Sequence, residues 1–322
     1  MFAVYAKEPN PSDPMAALVL GEMPEPVIEE GWLRVRVTHA SLNRHDVFTL
    51  RGLVDEKPVP YPMILGNDGA GLLDDGTPVV IYPVMGSDDW KADETIDPNW
   101  HIFSELVPGT MADYVAVPKR NALLIPEGLS TLHASLLGTA WLTAYRSLFT
   151  KARLMPGQTV LVQGASGGMS TAMIQLARAA GIQVWVTTRN DKGAELAEKL
   201  GANRIFHHGE KLPGRVDAVV DNAGTATWEH SLKSAKRGGV VVINGIVSGH
   251  MAETNLVPIF VEQLDVRGTI MGTLDEMHDM MRFIIANNIT PEVGSVVPMT
   301  EAREAIGDMV EGRTHGKTVF TR

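Results

Sequence analysis

The chain has 322 residues, which at roughly 150 residues per domain suggests two domains. Hydrophobic residues make up 44% and charged residues 20%, an ordinary globular composition that argues against disorder or a fibre. Its 28 basic and 38 acidic side chains leave a formal charge of −10. With no basic run, it has little electrostatic means of gripping nucleic acid or an anionic membrane. Cysteine is absent, which excludes disulfides, thiolate nucleophiles, iron–sulfur clusters and cysteine-ligated zinc. The stretch Met1 to Glu8 carries no basic region followed by an apolar core. No apolar run approaches the ~20 residues that span a bilayer. The expectation is a cytoplasmic protein with no membrane partner.

The first 120 residues read as β-rich. Leu33, Val35 and Val37 alternate with Arg34, Arg36 and Thr38, as in a strand with one buried face. Asp75-Gly76, between Gly69–Leu73 and Val79–Tyr82, reads as a hairpin turn. Pro58, Pro60 and Pro62 mark a constrained loop before Gly66-Asn67-Asp68-Gly69. Residues 86–105, with Asp88, Asp89, Asp93, Glu94 and Asp97, read as a solvated acidic loop rather than a cation site. After about residue 155 the pattern changes. Thr159–Gln163 is a short apolar run, followed by a glycine-rich turn and a helix over about 170–180 that Gly181 stops. Val184–Thr187 is the next strand, and a helix over 191–200 ends at Gly201. Ala218–Asp221 and Val240–Ile243 follow as buried strands, separated by a helical stretch near 228–237. Strands apolar on both faces and alternating with helices imply a parallel sheet covered on both sides. In the tail, Thr273 and Glu276 form a capping-box pair. Met277, Met280, Met281, Ile284 and Ile285 behind them follow a helical stripe, so the methionines read as core.

The sharpest local signal is Val160-Leu161-Val162-Gln163-Gly164-Ala165-Ser166-Gly167-Gly168-Met169-Ser170. A strand, then small residues, then a helix is the context of a dinucleotide diphosphate site. Small residues admit the phosphates to the backbone, and the helix start offers free N–H groups and partial positive charge. The motif departs from strict G-x-G-x-x-G at Ala165 and Ser170. The second strand ends Thr187-Thr188-Arg189-Asn190-Asp191-Lys192. Thr188 stands where an NAD site usually carries a carboxylate for the ribose hydroxyls. Arg189 and Lys192 would attract a 2′-phosphate, which points to NADP(H). Two solvated basic residues at a helix start, or Asp191 turned to the ribose, are the competing readings.

Taken together, Ser41-Leu42-Asn43-Arg44-His45-Asp46, Ile64-Leu65-Gly66-Asn67-Asp68-Gly69-Ala70-Gly71 and Met111-Ala112-Asp113-Tyr114-Val115 carry a family resemblance. They are joined by Leu142-Thr143-Ala144-Tyr145, the Gly164–Gly168 turn, Val219-Val220-Asp221-Asn222-Ala223-Gly224 and Gly316-Lys317-Thr318-Val319. In this order they resemble the medium-chain dehydrogenase/reductase superfamily, most closely its zinc-free quinone-oxidoreductase branch, over essentially the whole chain. The resemblance implies an α/β protein. A GroES-like β-barrel substrate domain (1–123 and 265–322) would surround a Rossmann doubly wound parallel-sheet domain (124–264). It further implies a substrate cleft above the nicotinamide and a homodimer joined through the Rossmann sheet edge.

Zinc-dependent members place Cys, His and Cys at three catalytic-metal positions, and Asn43, Asn67 and Thr139 match them here. Neutral amides and a hydroxyl are poor zinc ligands, so no metal is expected. His45 and His101 read as ordinary polar or core histidines. His208 falls where NADPH-dependent relatives carry a tyrosine near the 2′-phosphate; a plain surface histidine is the other reading. Phe48 stands where the family has a tyrosine above the nicotinamide. The cofactor-binding set implied is Thr143, Ala165, Ser166, Gly167, Gly168, Met169, Thr188, Arg189, Lys192, His208, Asn222, Gly245, Ile246, Val247 and Lys317.

The expected activity is NADPH-dependent reduction of a small quinone or α,β-unsaturated carbonyl. Hydride goes to the β-carbon, and Asn43, Asn67 and Thr139 are the candidate donors to the developing enolate oxygen. Asn43 bonding backbone to fix its loop is the alternative for that residue. A metal-free alcohol dehydrogenase or aldehyde reductase, and an NADPH-binding redox sensor with weak turnover, stay open as rival functions.

Overall fold

The computed structural model describes residues 1–53, 58–87 and 89–322; Asp88 of the acidic segment lies outside the described residues. The chain forms two compact units, one of residues 1–140, 272–285 and 290–322, the other of residues 141–271 and 286–289. No described helix is long and apolar enough to cross a membrane.

The first unit is built on strand β1 (Trp32–Ser41). Val35 and Val37 are buried while Arg36 is exposed, as the alternation requires, and a register shift between Val37 and His39 puts Ala40 on the buried side. On one side β1 pairs antiparallel with β2 (Asp68–Leu72), Ser41 standing opposite Asp68. On its other side the first half pairs with Tyr114–Pro118. The second half pairs with the C-terminal strand Thr318–Thr321, which sets Val319 opposite Ser41. Both ends of the chain thus contribute to one core, in which Val4, Val35, Leu50, Leu65, Met111 and Phe320 pack together. The Asp75-Gly76 turn joins β2 to Pro78–Ile81, with Gly76 at positive φ.

Helix α1 (Arg44–Arg51) begins at Asn43 and ends at Gly52 in the left-handed conformation. Helix Leu274–Ala286 starts on the Thr273–Glu276 capping box. Thr273 N–H donates to Glu276 Oε2, and Glu276 N–H donates to Thr273 Oγ1. Met277, Met280, Met281 and Ile284 are its buried face.

The acidic segment is more ordered than a solvated loop. Asp97 is buried and accepts hydrogen bonds from Ser87 N, Ser87 Oγ and Asn99 N. Asp93 accepts from Thr95 N. These carboxylates tie the segment to itself, because buried backbone donors need acceptors.

The second unit is one parallel sheet of six strands: β3 (Thr159–Gln163), β4 (Gln183–Thr188), β5 (Arg204–His207), β6 (Val216–Asp221), β7 (Ala235–Ile243) and β8 (Asp265–Gly268). Their spatial order is β5-β4-β3-β6-β7-β8, so the direction of winding reverses between β3 and β6, the usual place for a nucleotide. Helices α2 (Gly168–Ala179), α3 (Asp191–Leu200), α4 (Trp228–Ser234) and α5 (Leu256–Val261) connect the strands. Strand β7 begins five residues earlier than the apolar run suggests, with a register shift between Val216 and Ala218 on its partner β6.

The unit boundaries also differ from those that the resemblance implies. Helix Thr131–Ala134 packs on β1 and β2, which keeps residues 124–140 with the first unit. Strand β8 pairs with β7, which keeps residues 265–271 with the second.

Candidate active site

In the first unit, the end of β1 lies beside the start of β2 and the start of the C-terminal strand. Asn43, Asp68 and Lys317 therefore meet, although Lys317 is 274 residues from Asn43 in sequence. Asp68 is the hub. Its Oδ2 accepts hydrogen bonds from Ser41 Oγ (2.9 Å), Asn43 Nδ2 (2.8 Å) and Lys317 Nζ (3.3 Å), and its Oδ1 accepts from Thr139 Oγ1 (2.6 Å). Asp68 is fully buried and Lys317 is 3% exposed. Such burial is sustainable only when the charges pair and their remaining hydrogen-bond groups are satisfied. The ammonium meets that condition, donating also to Leu42 O (2.9 Å) and Asn43 Oδ1 (2.7 Å). Burial lowers the pKa of Lys317, and the Asp68 carboxylate beside it works in the opposite direction.

Asp46 is a second buried carboxyl beside Asn43. Its Oδ2 accepts from Asn43 N and its Oδ1 from Gly66 N, both at 2.8 Å. Burial pushes its pKa up to about 7, against the pull of those two N–H groups and of Lys317. Gly66 has φ +102°, and an added Cβ would lie 2.5 Å from Thr110 Oγ1 and 2.8 Å from Met111 N. Only glycine fits the turn that presents this N–H to Asp46.

Three positions predicted as catalytic lie in this unit with different freedom. Both hydrogens of Asn43 Nδ2 point inward, to Ser41 O and Asp68. Asn67 is fully buried; its Nδ2 donates to Phe103 O at 2.5 Å and its Oδ1 has no hydrogen-bond partner among the described residues. Thr139 is half-buried. Lys317, grouped with the cofactor residues on sequence, joins this cluster because strand 318–321 pairs with β1. Asp68, Ser41 and Asp46 carry no role in the sequence reading. Their signal was present in the motifs, as charged or polar side chains set among small and apolar residues bound for burial.

Apart from Thr143, the second unit holds the other predicted residues at or just beyond the C-terminal ends of its strands. The turn after β3 leaves Gly164 at φ +95°, and α2 starts at Gly167 with no side chain capping it. Uncapped N–H groups at the start of a 12-residue helix are the complement of an anion such as a diphosphate. Ser166, Gly168 and Met169 are partly exposed and Gly167 is exposed, whereas Ala165 is buried. Asn222 Nδ2 donates to Ser170 Oγ at 2.9 Å, linking the loop after β6 to α2. Gly245 passes so close to that loop that a Cβ would lie 2.5 Å from Asn222 O. Ile246 and Val247 beyond it are exposed, and Thr143 is buried in the short helix Leu142–Tyr145.

At the end of β4, Thr188 Oγ1 donates to Asn190 O, and Thr188 O accepts from His208 N at 2.9 Å. Thr188, Arg189, Lys192 and His208 are therefore brought together. Arg189 and Lys192 are exposed and their side chains have no ion pair among the described residues.

The comparisons with known proteins agree with this architecture. Residues 29–127 match the alcohol dehydrogenase GroES-like domain family, and residues 168–286 match the zinc-binding dehydrogenase family. The chain belongs to the medium-chain dehydrogenase/reductase superfamily and is an oxidoreductase by that membership. It is 28% identical to a zinc-type alcohol dehydrogenase-like protein of Schizosaccharomyces pombe, over 86% of this chain and 87% of the relative. It is 26% identical to the quinone oxidoreductase of Mus musculus, over 91% and 89%. A solved structure described as an NAD-dependent alcohol dehydrogenase superposes with a TM-score of 0.92 at 28% identity, covering 100% of both chains.

The zinc in the second family's name can be tested against the donors present. Asn43, Asn67 and Thr139 offer neither thiolate nor imidazole, and an ammonium already bonds Asn43 Oδ1 and Asp68. Among the described residues no group of three or more His, Asp or Glu is gathered to hold a metal ion. These residues do not fit a catalytic zinc.

Proposed function

We propose that the protein is an NADPH-dependent, zinc-independent reductase of small quinones or α,β-unsaturated carbonyls. The observation that carries this reading is the bonding of Thr139 to Asp68 beside Lys317. Reduction of an enone leaves one negative charge on a carbonyl oxygen, which a few preorganised donors can stabilise. The Thr139 hydroxyl suits that task. When its hydrogen turns to a substrate oxygen, Asp68 keeps its bonds from Ser41, Asn43 and Lys317, so no buried carboxylate is left unpaired. Thr139 is then the catalytic residue, and Asn43 and Asn67 are positioning residues behind it.

The nucleotide binds with its diphosphate at the uncapped start of α2, contacted by Ala165, Ser166, Gly167, Gly168 and Met169. Arg189 and Lys192, with His208 and Thr188 beside them, hold the 2′-phosphate. Thr143, Asn222, Gly245, Ile246 and Val247 line the remainder of the nucleotide site. The bound reduced nicotinamide supplies the hydride. In chelator-treated protein, NADPH is consumed with a quinone or an enone and not with a saturated ketone. Activity that disappears on chelation and returns with zinc would reject the proposal.

A second reading, metal-free reduction of aldehydes or oxidation of alcohols, is favoured by the alcohol dehydrogenases among the relatives. Faster turnover of saturated carbonyls than of enones would select it. Tight NADPH binding without turnover of any acceptor would instead indicate a redox sensor.

A further inference from the structure

The glycine-rich turn after β3 has no large side chain of its own to hold it. Gly164, Ala165, Ser166 and Gly167 are all small, and glycine has the widest backbone freedom of any residue. Gly164 N–H is nonetheless tied down, donating to Thr187 Oγ1 on β4 at 3.0 Å. From there the bonding continues inward across the adjacent strands β4, β3 and β6. Thr187 Oγ1 donates to Gln163 Oε1 at 2.9 Å, Gln163 Nε2 donates to Ser231 Oγ on α4 at 3.0 Å, and Ser231 Oγ donates to Asp221 Oδ2 at 2.6 Å. Gln163 stands opposite Asp221 in the sheet. Both are fully buried, as is Ser231, and Thr187 is 2% exposed.

The two ends of this path fix every direction along it. A backbone N–H can only donate and a carboxylate can only accept, so the hydroxyls and the amide between them have one consistent orientation. The second hydrogen of Gln163 Nε2 is used as well, on His230 Nδ1 at 2.8 Å. That puts the ring proton on Nε2, where it meets Glu210 O at 2.9 Å. Glutamine fits because it accepts on one side and donates twice on the other. Glutamate has no hydrogen for Ser231, and an apolar side chain would leave the Thr187 hydrogen without an acceptor. Asp221 serves the neighbouring loop at the same time. Its Oδ1 accepts from Ala223 N and Gly224 N, both at 3.0 Å, and from Thr227 Oγ1 at 2.7 Å. A buried polar network whose members are all satisfied is rigid.

We infer that Asp221, acting through Ser231, Gln163 and Thr187, positions the glycine-rich turn, and directly the loop of residues 222–224, for the nucleotide. The four are positioning residues. Buried beneath the turn, they set the place of the backbone N–H groups that receive the diphosphate. This role rests on the nucleotide site proposed above, whereas the hold on Gly164 N–H is independent of it.

The test uses the full-length protein in isothermal titrations with NADPH, NADH and adenosine 2′-phosphate. The two dinucleotides carry the diphosphate; adenosine 2′-phosphate lacks it and reports the Arg189 end alone. In Gln163→Met and in Thr187→Val the Kd values of NADPH and NADH should rise by the same factor, about ten-fold, while that of adenosine 2′-phosphate holds. Loss of a 2′-phosphate contact would instead shift NADPH and leave NADH. Thr187→Ser, which keeps the hydroxyl, should bind as the parent protein does. Hydrogen exchange at the Gly164 amide should be about ten-fold faster in Thr187→Val and parental in Thr187→Ser. Parental Kd values for both dinucleotides in Gln163→Met and Thr187→Val would overturn the inference. So would an equal weakening of adenosine 2′-phosphate, the mark of a generally loosened unit.

Should Gln163→Met fail to fold, the two Thr187 variants decide alone. If the parent protein binds NADH and not NADPH, the NADPH reading fails, and the factor for NADH still decides the role of Asp221. If it binds neither, the nucleotide reading itself fails. Gly164 exchange in Thr187→Val then tests the hold on the turn, faster exchange upholding it and parental exchange overturning it.

Discussion

Asp46 shows how one buried carboxyl sets a pH dependence. Its pKa stands at about 7 against an ordinary value of 3.8, raised by burial. In the native state the proton is therefore held between about pH 4 and pH 7, where the unfolded chain releases it. Linkage then makes this contribution to stability full below pH 4, falling as pH rises and gone above pH 7. The Tm of the parent protein should drop on the order of 5 K between pH 5 and pH 8. Asp46→Asn should flatten that slope while lowering Tm at pH 5, since the amide keeps one N–H acceptor and loses the capping of Asn43 N. An unchanged slope in the variant would assign the pH dependence to another group. At the cofactor end, Arg189 is exposed and unpaired among the described residues, so its charge is free for a phosphate. Arg189→Ala should raise the NADPH Kd about ten-fold, the loss of about 1.5 kcal/mol for a charge-assisted bond, with the NADH Kd hardly moved. Equal affinity of the unmodified protein for the two nucleotides would reject the assignment.

Elements in this protein start and stop for reasons that local chemistry supplies. Helix Leu274–Ala286 starts on a reciprocal Thr273–Glu276 cap. Thr273→Ala should cost about 1 kcal/mol and about 2–4 K in Tm, read by thermal unfolding, with cofactor affinity unchanged. Helix α2 is the contrasting case. Its start is left without a side-chain cap, a deficit in the free chain that the proposed diphosphate would make good. Gly167→Asp should fill that position with a carboxylate cap, and isothermal titration should show NADPH binding weakened by about ten-fold or more. Retained affinity would move the diphosphate away from α2.

Across the whole molecule, the two units divide the labour of the site residues. The first holds Asn43, Asn67, Thr139 and Lys317, and the second holds the remaining predicted nucleotide contacts. Strand β8 is the last strand of its sheet. On the adjoining segment Leu256, Val257, Phe260 and Val261 of α5 are exposed, as is Val266 of β8. An unpaired strand edge beside exposed apolar side chains is a surface that a second copy can cover, which supports the homodimer that the resemblance implies. Light scattering should give twice the chain mass, and Phe260→Glu with Val266→Lys should return it to the mass of one chain. A monomeric parent protein would end that reading.

Legibility in the sequence followed the range of the interactions. The strand–turn–helix at Thr159–Ala179, the Asp75-Gly76 hairpin, the cap at Thr273 and the helix ending at Gly201 could all be read directly. Each depends on the backbone preferences of residues within a few positions of one another. The family's motifs extended that reading to the order of domains and to the positions 43, 67 and 139. The unit boundaries at 140 and 271 escaped it, because they depend on which neighbouring strand a segment finally packs against. The pairing of Lys317, read from the family's motifs as a cofactor residue, with Asp68 escaped it too. A lysine beside a glycine near one end of a chain and an aspartate in a glycine-rich strand carry no local sign of each other. Their pairing exists only because the C-terminal strand lies antiparallel to β1 and buries both charges at one point, where desolvation forces them to share hydrogen bonds. Local preference determined the elements and the nucleotide turn, and long-range strand pairing alone decided what stands at the centre of the site.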